Sequence, residues 1–107
     1  MDLHRLGEAR SIELHRAVAA MLRREPARVA QARERVRRWR AEGSVPLPYV
    51  EAWERHLEGP LEALCAAMVD EREWARALRQ VTPFAGFVDS RTRWRIWREV
   101  RARAEQG

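Results

Sequence analysis

Few side chains in this sequence are of types that do chemistry, and their spacing decides what they can do. His4, His15 and His56 form no H-x3-H pair, and no Cys-x2-Cys accompanies them. A transition-metal site is therefore not expected, and the three read as surface histidines. The single thiol, Cys65 in LEALCAAMV, falls at an apolar position, where a thiol packs as a small hydrophobe. Glu51, Glu54 and Glu58 share one helical face, but a carboxylate-bridged metal pair also needs inward histidines at matching spacing. No glycine-rich phosphate loop is present. The expectation is a protein that is not an enzyme, with no catalytic residue, metal or cofactor.

Arginine and tryptophan carry the remaining chemistry. All 21 cationic side chains are Arg, and the chain has neither Lys nor Asn. Codon bias in a GC-rich genome explains that exclusion better than heat adaptation, which enriches Lys together with Glu. The net charge of +5 conceals three blocks. Residues 23–40 hold eight Arg against two Glu, residues 41–75 two Arg against eight acids, and residues 76–103 eight Arg against two acids. Packed side by side, such blocks would neutralise one another. Two stripes at i, i+4, i+7 spacing stand out, Arg33/Arg37/Arg40 and Arg91/Arg95/Arg98. Both suit phosphate groups, which arginine's planar fork matches, and a small nucleic-acid-binding regulator is the alternative reading. The turn in WRAEGSVPLPYVEAW is unlike that of a helix-turn-helix.

Five tryptophans in 107 residues is a heavy load for a small core. Trp39, Trp53 and Trp74 fall on inward stripes. Trp94 and Trp97 share a helix with Ile96, Val100 and six Arg, so one of the two is expected outside the core. Tryptophan beside arginine is the pairing enriched at interface hot spots. The loop VTPFAGFVDS is apolar, whereas loops are normally polar surface features. It must either plug the core or meet a partner. The favoured reading is a non-enzymatic partner-binding protein that docks through the 82–88 loop and the last helix, using Phe84, Phe87, Trp94, Trp97 and Arg98.

The elements that position these residues are helices. At 12.6 kDa the chain has room for one domain, 1–107, and β signals are sparse. Helical periodicity predicts an all-α, compact single-domain bundle of five or six helices over about 8–24, 26–42, 48–58, 60–69, 70–81 and 91–105. Leu3 and Leu6 can extend the first backwards, with Gly7 and Ser11 as break points. Pro26, Gly43, Pro46, Pro48 and the Gly59-Pro60 pair punctuate the rest. Between residues 60 and 81 the apolar stripe rotates by about 140° at 100° per residue, so the segment breaks near Val69-Asp70, with Asp70 and Glu73 as a capping pair. Asp89 or Ser90 caps the last helix. No stretch reaches the roughly 20 apolar residues of a membrane span. MDLHRLGEARSIE lacks the apolar core of a signal peptide, so a cytoplasmic protein is expected, and a homo-oligomer stays open.

The stretch ALRQVTPFAGFVDSRTRWRIWRE, from Ala77 to Glu99, resembles a segment in a group of short bacterial helical proteins. There a run ALRQ-x-[S/T]-PFAG leads into a capped helix beginning near RW-x-I. Ala77 to Gln80, Thr82 to Gly86, Arg93, Trp94 and Ile96 fit that pattern, with Val81 where a small residue is usual. The Leu14-His15-Arg16 run and the R-x-W-x-x-EG-like close of the second helix are similar too. The resemblance implies a toxin–antitoxin-type gene pair, and hence an antitoxin-like role with a toxin encoded nearby as partner.

Overall fold

Asp2 opens the first helix by accepting the backbone N–H of His4 at 2.9 Å, the usual service of a short acidic N-cap. In the computed structural model, which describes residues 2–106, α1 runs without interruption over Leu3–Arg24. Gly7 does not break it, and the helix starts well before residue 8. The expected second helix divides into a 3₁₀ turn, Pro26–Arg28, and α2, Val29–Glu42. Gly43 stops α2 in the left-handed region at φ +64°, its N–H donating to the Trp39 carbonyl at 3.0 Å. Then follow α3, Leu47–Glu58, and α4, Leu61–Met68. The break falls where the rotating stripe placed it, before α5, Glu73–Arg79. Asp70 is not the cap of α5, however. It accepts the Arg72 backbone N–H at 2.8 Å and pairs with the same residue's guanidinium, and Arg72 occupies the cap position. Asp89 rather than Ser90 caps α6, Ser90–Gln106, accepting the Thr92 N–H at 2.7 Å. The described residues contain six α-helices and no strand.

α4, α5 and α6 all pack against α1, α2 pairs with α3, and α3 reaches α4 and α5. Two apolar clusters result. The main core joins Val18 and Leu22 of α1 to Val36, Trp53, Leu57, Leu64, Met68 and Leu78, and continues into Phe84, Phe87 and Val88. The second is small: Leu6, Ile96 and Val100, with Ala9 and Ala104 against them. Burial of one such side chain is worth about 1.5–3 kcal/mol, and a helix of this length is marginal alone. α6 is therefore the least firmly held long helix. Its backbone amides are expected to exchange with deuterium at least about tenfold faster than those of α3, by local opening; equal protection of both would show α6 to be an integral core helix.

The charge blocks neutralise one another in part. Arg40 pairs with Glu54 at 2.7 Å between α2 and α3, and Arg23 with Glu62 at 3.0 Å between α1 and α4. Arg37–Glu34, Arg95–Glu99 and Arg101–Glu105 are pairs within one helix. Exposed pairs of this kind contribute about 0–1 kcal/mol each, so they orient surfaces more than they stabilise the fold.

Candidate functional site

The 82–88 loop plugs the core. Phe84 is 3% exposed, Phe87 8% and Val88 7%. One side chain from each of the first three helices pins the loop and its approach. Trp53 of α3 donates its indole N–H to the Val81 carbonyl at 2.7 Å. Arg35 of α2 donates from Nη1 to the carbonyls of Pro83 at 2.9 Å and Ala85 at 2.7 Å. From α1, His15 meets Thr82 at 2.9 Å. Gly86 turns the chain at φ +84°, a conformation that side chains with a Cβ rarely adopt. Phe84 and Phe87 thus lie inside and cannot offer their rings to a partner without opening the core. A loop so apolar has to bury its rings, and here its own helices supply the cover.

His15 corrects the expectation of surface histidines. It is 4% exposed, and its place on the inward stripe with Val18 and Leu22 explains why. Nδ1 lies 2.7 Å from the Ser11 carbonyl, which can only accept, so Nδ1 carries the proton. In the neutral ring Nε2 accepts the Thr82 hydroxyl, whose oxygen accepts the Phe84 backbone N–H at 3.1 Å. Burial, with the nearby Arg79 charge, holds the imidazole below its ordinary value, although the Ser11 contact opposes them. The unfolded chain therefore binds the proton first as pH falls. Stability is complete above about pH 6.5 and declines below it. His56, also lowered by burial, acts in the same direction. Asp70, held down to about 2 by Arg72, titrates in a separate, lower window. Denaturation between pH 7.5 and 5, roughly the range that brackets an ordinary imidazole, is expected to show a smaller loss of stability in His15→Gln than in the parent. An identical slope would mean that the folded and unfolded chains bind the His15 proton equally well.

The tryptophans divide. Trp53 is 1% exposed and Trp39 packs half-buried against the core. Trp74, expected inward, is 40% exposed, because α5 turns Ala75, Leu78 and Arg79 inward instead. It stacks on His56 at 5.7 Å, and the Arg72 guanidinium sits over its ring at 5.4 Å. Trp94 is 58% exposed and lies parallel to the half-buried Trp97, with ring centroids 5.2 Å apart and planes inclined by 3°. Arg10 of α1 and Arg101 of α6 both sit over Trp97, at 4.8 and 5.2 Å. Helical spacing places Arg91 and Arg98 beside Trp94. Neither makes an ion pair among the described residues.

The two arginine stripes fare differently. On α2, Arg40 and Arg37 are paired with Glu54 and Glu34, and Arg33 donates to the Leu57 carbonyl at 2.8 Å. On α6, Arg95 pairs loosely with Glu99 at 3.8 Å, while Arg91 and Arg98 face solvent. No cluster of three or more His, Cys, Asp or Glu side chains able to hold a metal occurs among the described residues. Fold and surface together define a helical bundle whose α6 carries an exposed Trp–Arg ridge at Trp94, with a smaller exposed Trp–Arg contact at Trp74 and Arg72. No protein-family model matches the chain, and no curated protein or solved structure shows significant similarity to it.

Spacing did not single out Arg35, Arg79 or His15, although reading the α1 stripe through His15, Val18 and Leu22 would have found the last. Arg79 is 5% exposed and bridges the α4–α5 turn. Of the ALRQ-x-[S/T]-PFAG run, Thr82, Pro83, Phe84 and Gly86 hold the loop in place, Leu78 packs in the core and Arg79 ties the α4–α5 turn. Of the residues that carry the resemblance, Trp94 is the large apolar side chain left outside.

Proposed function

We propose that this is a non-enzymatic partner-binding protein, antitoxin-like, whose docking surface is the α6 ridge of Trp94, Trp97, Arg91 and Arg98. The observation that carries this reading is the exposed Trp94 stacked on Trp97, beside arginines without ion-pair partners among the described residues. A rigid aromatic anchor rimmed by guanidinium groups is the composition of an interface hot spot, and its charge favours an acidic surface on the partner. The resemblance of residues 77–99 to proteins of toxin–antitoxin gene pairs supports the antitoxin-like role. Phe84 and Phe87 are buried in the main core and lie outside this surface. Co-expression with the product of the adjacent gene tests the reading. Trp94→Ala is expected to weaken co-purification by roughly 30-fold or more, the cost of a hot-spot residue. Retention of full affinity in folded Trp94→Ala protein would sink the ridge as the docking face.

The same ridge favours a second reading, binding of single-stranded nucleic acid. Stacking on Trp94 and phosphate contacts from Arg91, Arg95 and Arg98 would supply it. Engagement of the α2 stripe within the fold narrows this reading to α6. Fluorescence anisotropy with a labelled oligonucleotide decides: absence of binding at about 50 mM salt, where phosphate contacts are strong, would dismiss it.

A further inference from the structure

Gly7 stands inside α1, where glycine costs about 1 kcal/mol relative to alanine. The fold gives no reason for it. A Cβ built there would meet no atom within 4 Å, and its φ is not left-handed. What Gly7 does is border two cavities, of about 300 and 380 Å³, that share Gly7, Ser11 and Arg79. The larger lies between α1, the 82–88 loop and the start of α6. Arg10, Arg79 and Arg93 line it together with apolar Leu14, Phe84 and Val88, and no acidic residue does. None of the three arginines is within ion-pair distance of a carboxylate among the described residues. Arg79 is engaged with backbone carbonyls. Arg10 is stacked on Trp97, and its Nε is buried with no hydrogen-bond partner among the described residues. A buried donor without an acceptor is costly, by about 1–3 kcal/mol.

We infer that this cavity binds a small organic acid, a carboxylate on a short apolar body. Arg10 and Arg93 take the carboxylate. The guanidinium fork matches its two oxygens, and stacking on Trp97 fixes Arg10 in advance. The hydrocarbon part lies along Leu14, Phe84 and Val88, and Gly7 leaves room for it on the helix side. The volume is in the usual range for small-molecule sites. This inference goes beyond partner binding and stands or falls separately from it.

Phenylbutyrate is a suitable probe, titrated into the full chain by calorimetry. Saturable binding is expected with Kd below about 1 mM. Arg10→Gln is expected to weaken it at least about tenfold, through loss of the charge-assisted contact. Gly7→Leu is expected to abolish it by filling the cavity, without lowering the thermal midpoint, since leucine favours the helix. Arg93→Gln, a surface change, gives an independent reading if Gly7→Leu fails to fold. The inference is overturned if no saturable heat appears up to about 10 mM, or if phenylbutanol or inorganic phosphate binds equally well. Unchanged affinity in the folded variants would overturn it too.

Discussion

Phe84→Ala is expected to lower the unfolding free energy by about 3–5 kcal/mol, the cost of emptying a large aromatic site in a core. Trp94→Ala should cost about 1 kcal/mol, chiefly the stacking on Trp97. Both are large apolar side chains of the same segment, and burial alone separates them. Phe84 is 3% exposed and meets Trp53 at 5.7 Å, Phe87 at 5.3 Å and His15 at 6.4 Å, each edge to face. Removing it strips the centre from an aromatic cluster that joins α1, α3 and the loop. For a domain whose whole stability is on the order of 5–15 kcal/mol, that loss brings the chain close to unfolding. Urea denaturation of the two variants checks the contrast, with an unchanged m-value showing that the same fold is being compared. If Phe84→Ala proved as stable as Trp94→Ala, the loop would not be part of the core. The contrast also fixes what binding experiments mean. Loss of a partner in Phe84→Ala reports on folding, whereas loss in Trp94→Ala reports on the surface.

The helices were legible in the sequence because each carries its own punctuation. Gly43 and the Gly59-Pro60 pair marked ends, and the rotation of the stripe between Leu61 and Val81 located the break before α5. Gly7 misled, since one glycine costs too little to stop a 22-residue helix that is packed on three others. The apolar loop offered two readings, plug or docking surface, and local pattern could not choose. The choice rests on His15, Arg35 and Trp53, which come from three different helices and meet the loop only after folding. For the same reason Arg35 and Arg79 were hidden among the surface arginines. An arginine that donates to backbone carbonyls has the same sequence signature as one that faces water. The α6 ridge was partly legible: two tryptophans cannot both face inward on a helix that also buries Ile96 and Val100. That it was Trp94 that stayed outside followed only from the packing of α6 on α1.

Arg79→Met is expected to cost about 2–4 kcal/mol, the second-largest effect, for a reason that charge does not explain. Replacing a buried ion with an apolar side chain is often neutral, because the charge itself is expensive to bury. Desolvation indeed pulls the Arg79 guanidinium below its ordinary value, with Arg76 nearby acting in the same direction. Its neighbours decide the outcome. Nη1 donates to the Met68 carbonyl at 3.1 Å and the Asp70 carbonyl at 2.7 Å. Met68 is the last residue of α4 and Asp70 lies just past it, where carbonyls have no continuing turn to satisfy them. Methionine matches the packed stem and removes the charge, yet it leaves the two acceptors unpaired at about 1–3 kcal/mol each, less what water can recover at the half-buried Asp70. Lysine keeps the charge but is shorter and more strongly hydrated, so Arg79→Lys should rescue little of the loss. If the bridge to the turn is what matters, both variants melt well below the parent. If the charge mattered, Lys would behave as wild type and Met would not. A methionine variant as stable as the parent would show that the α4–α5 turn needs no tie, and that burial of Ala75 and Leu78 with the Trp74–His56 stack suffices to hold α5.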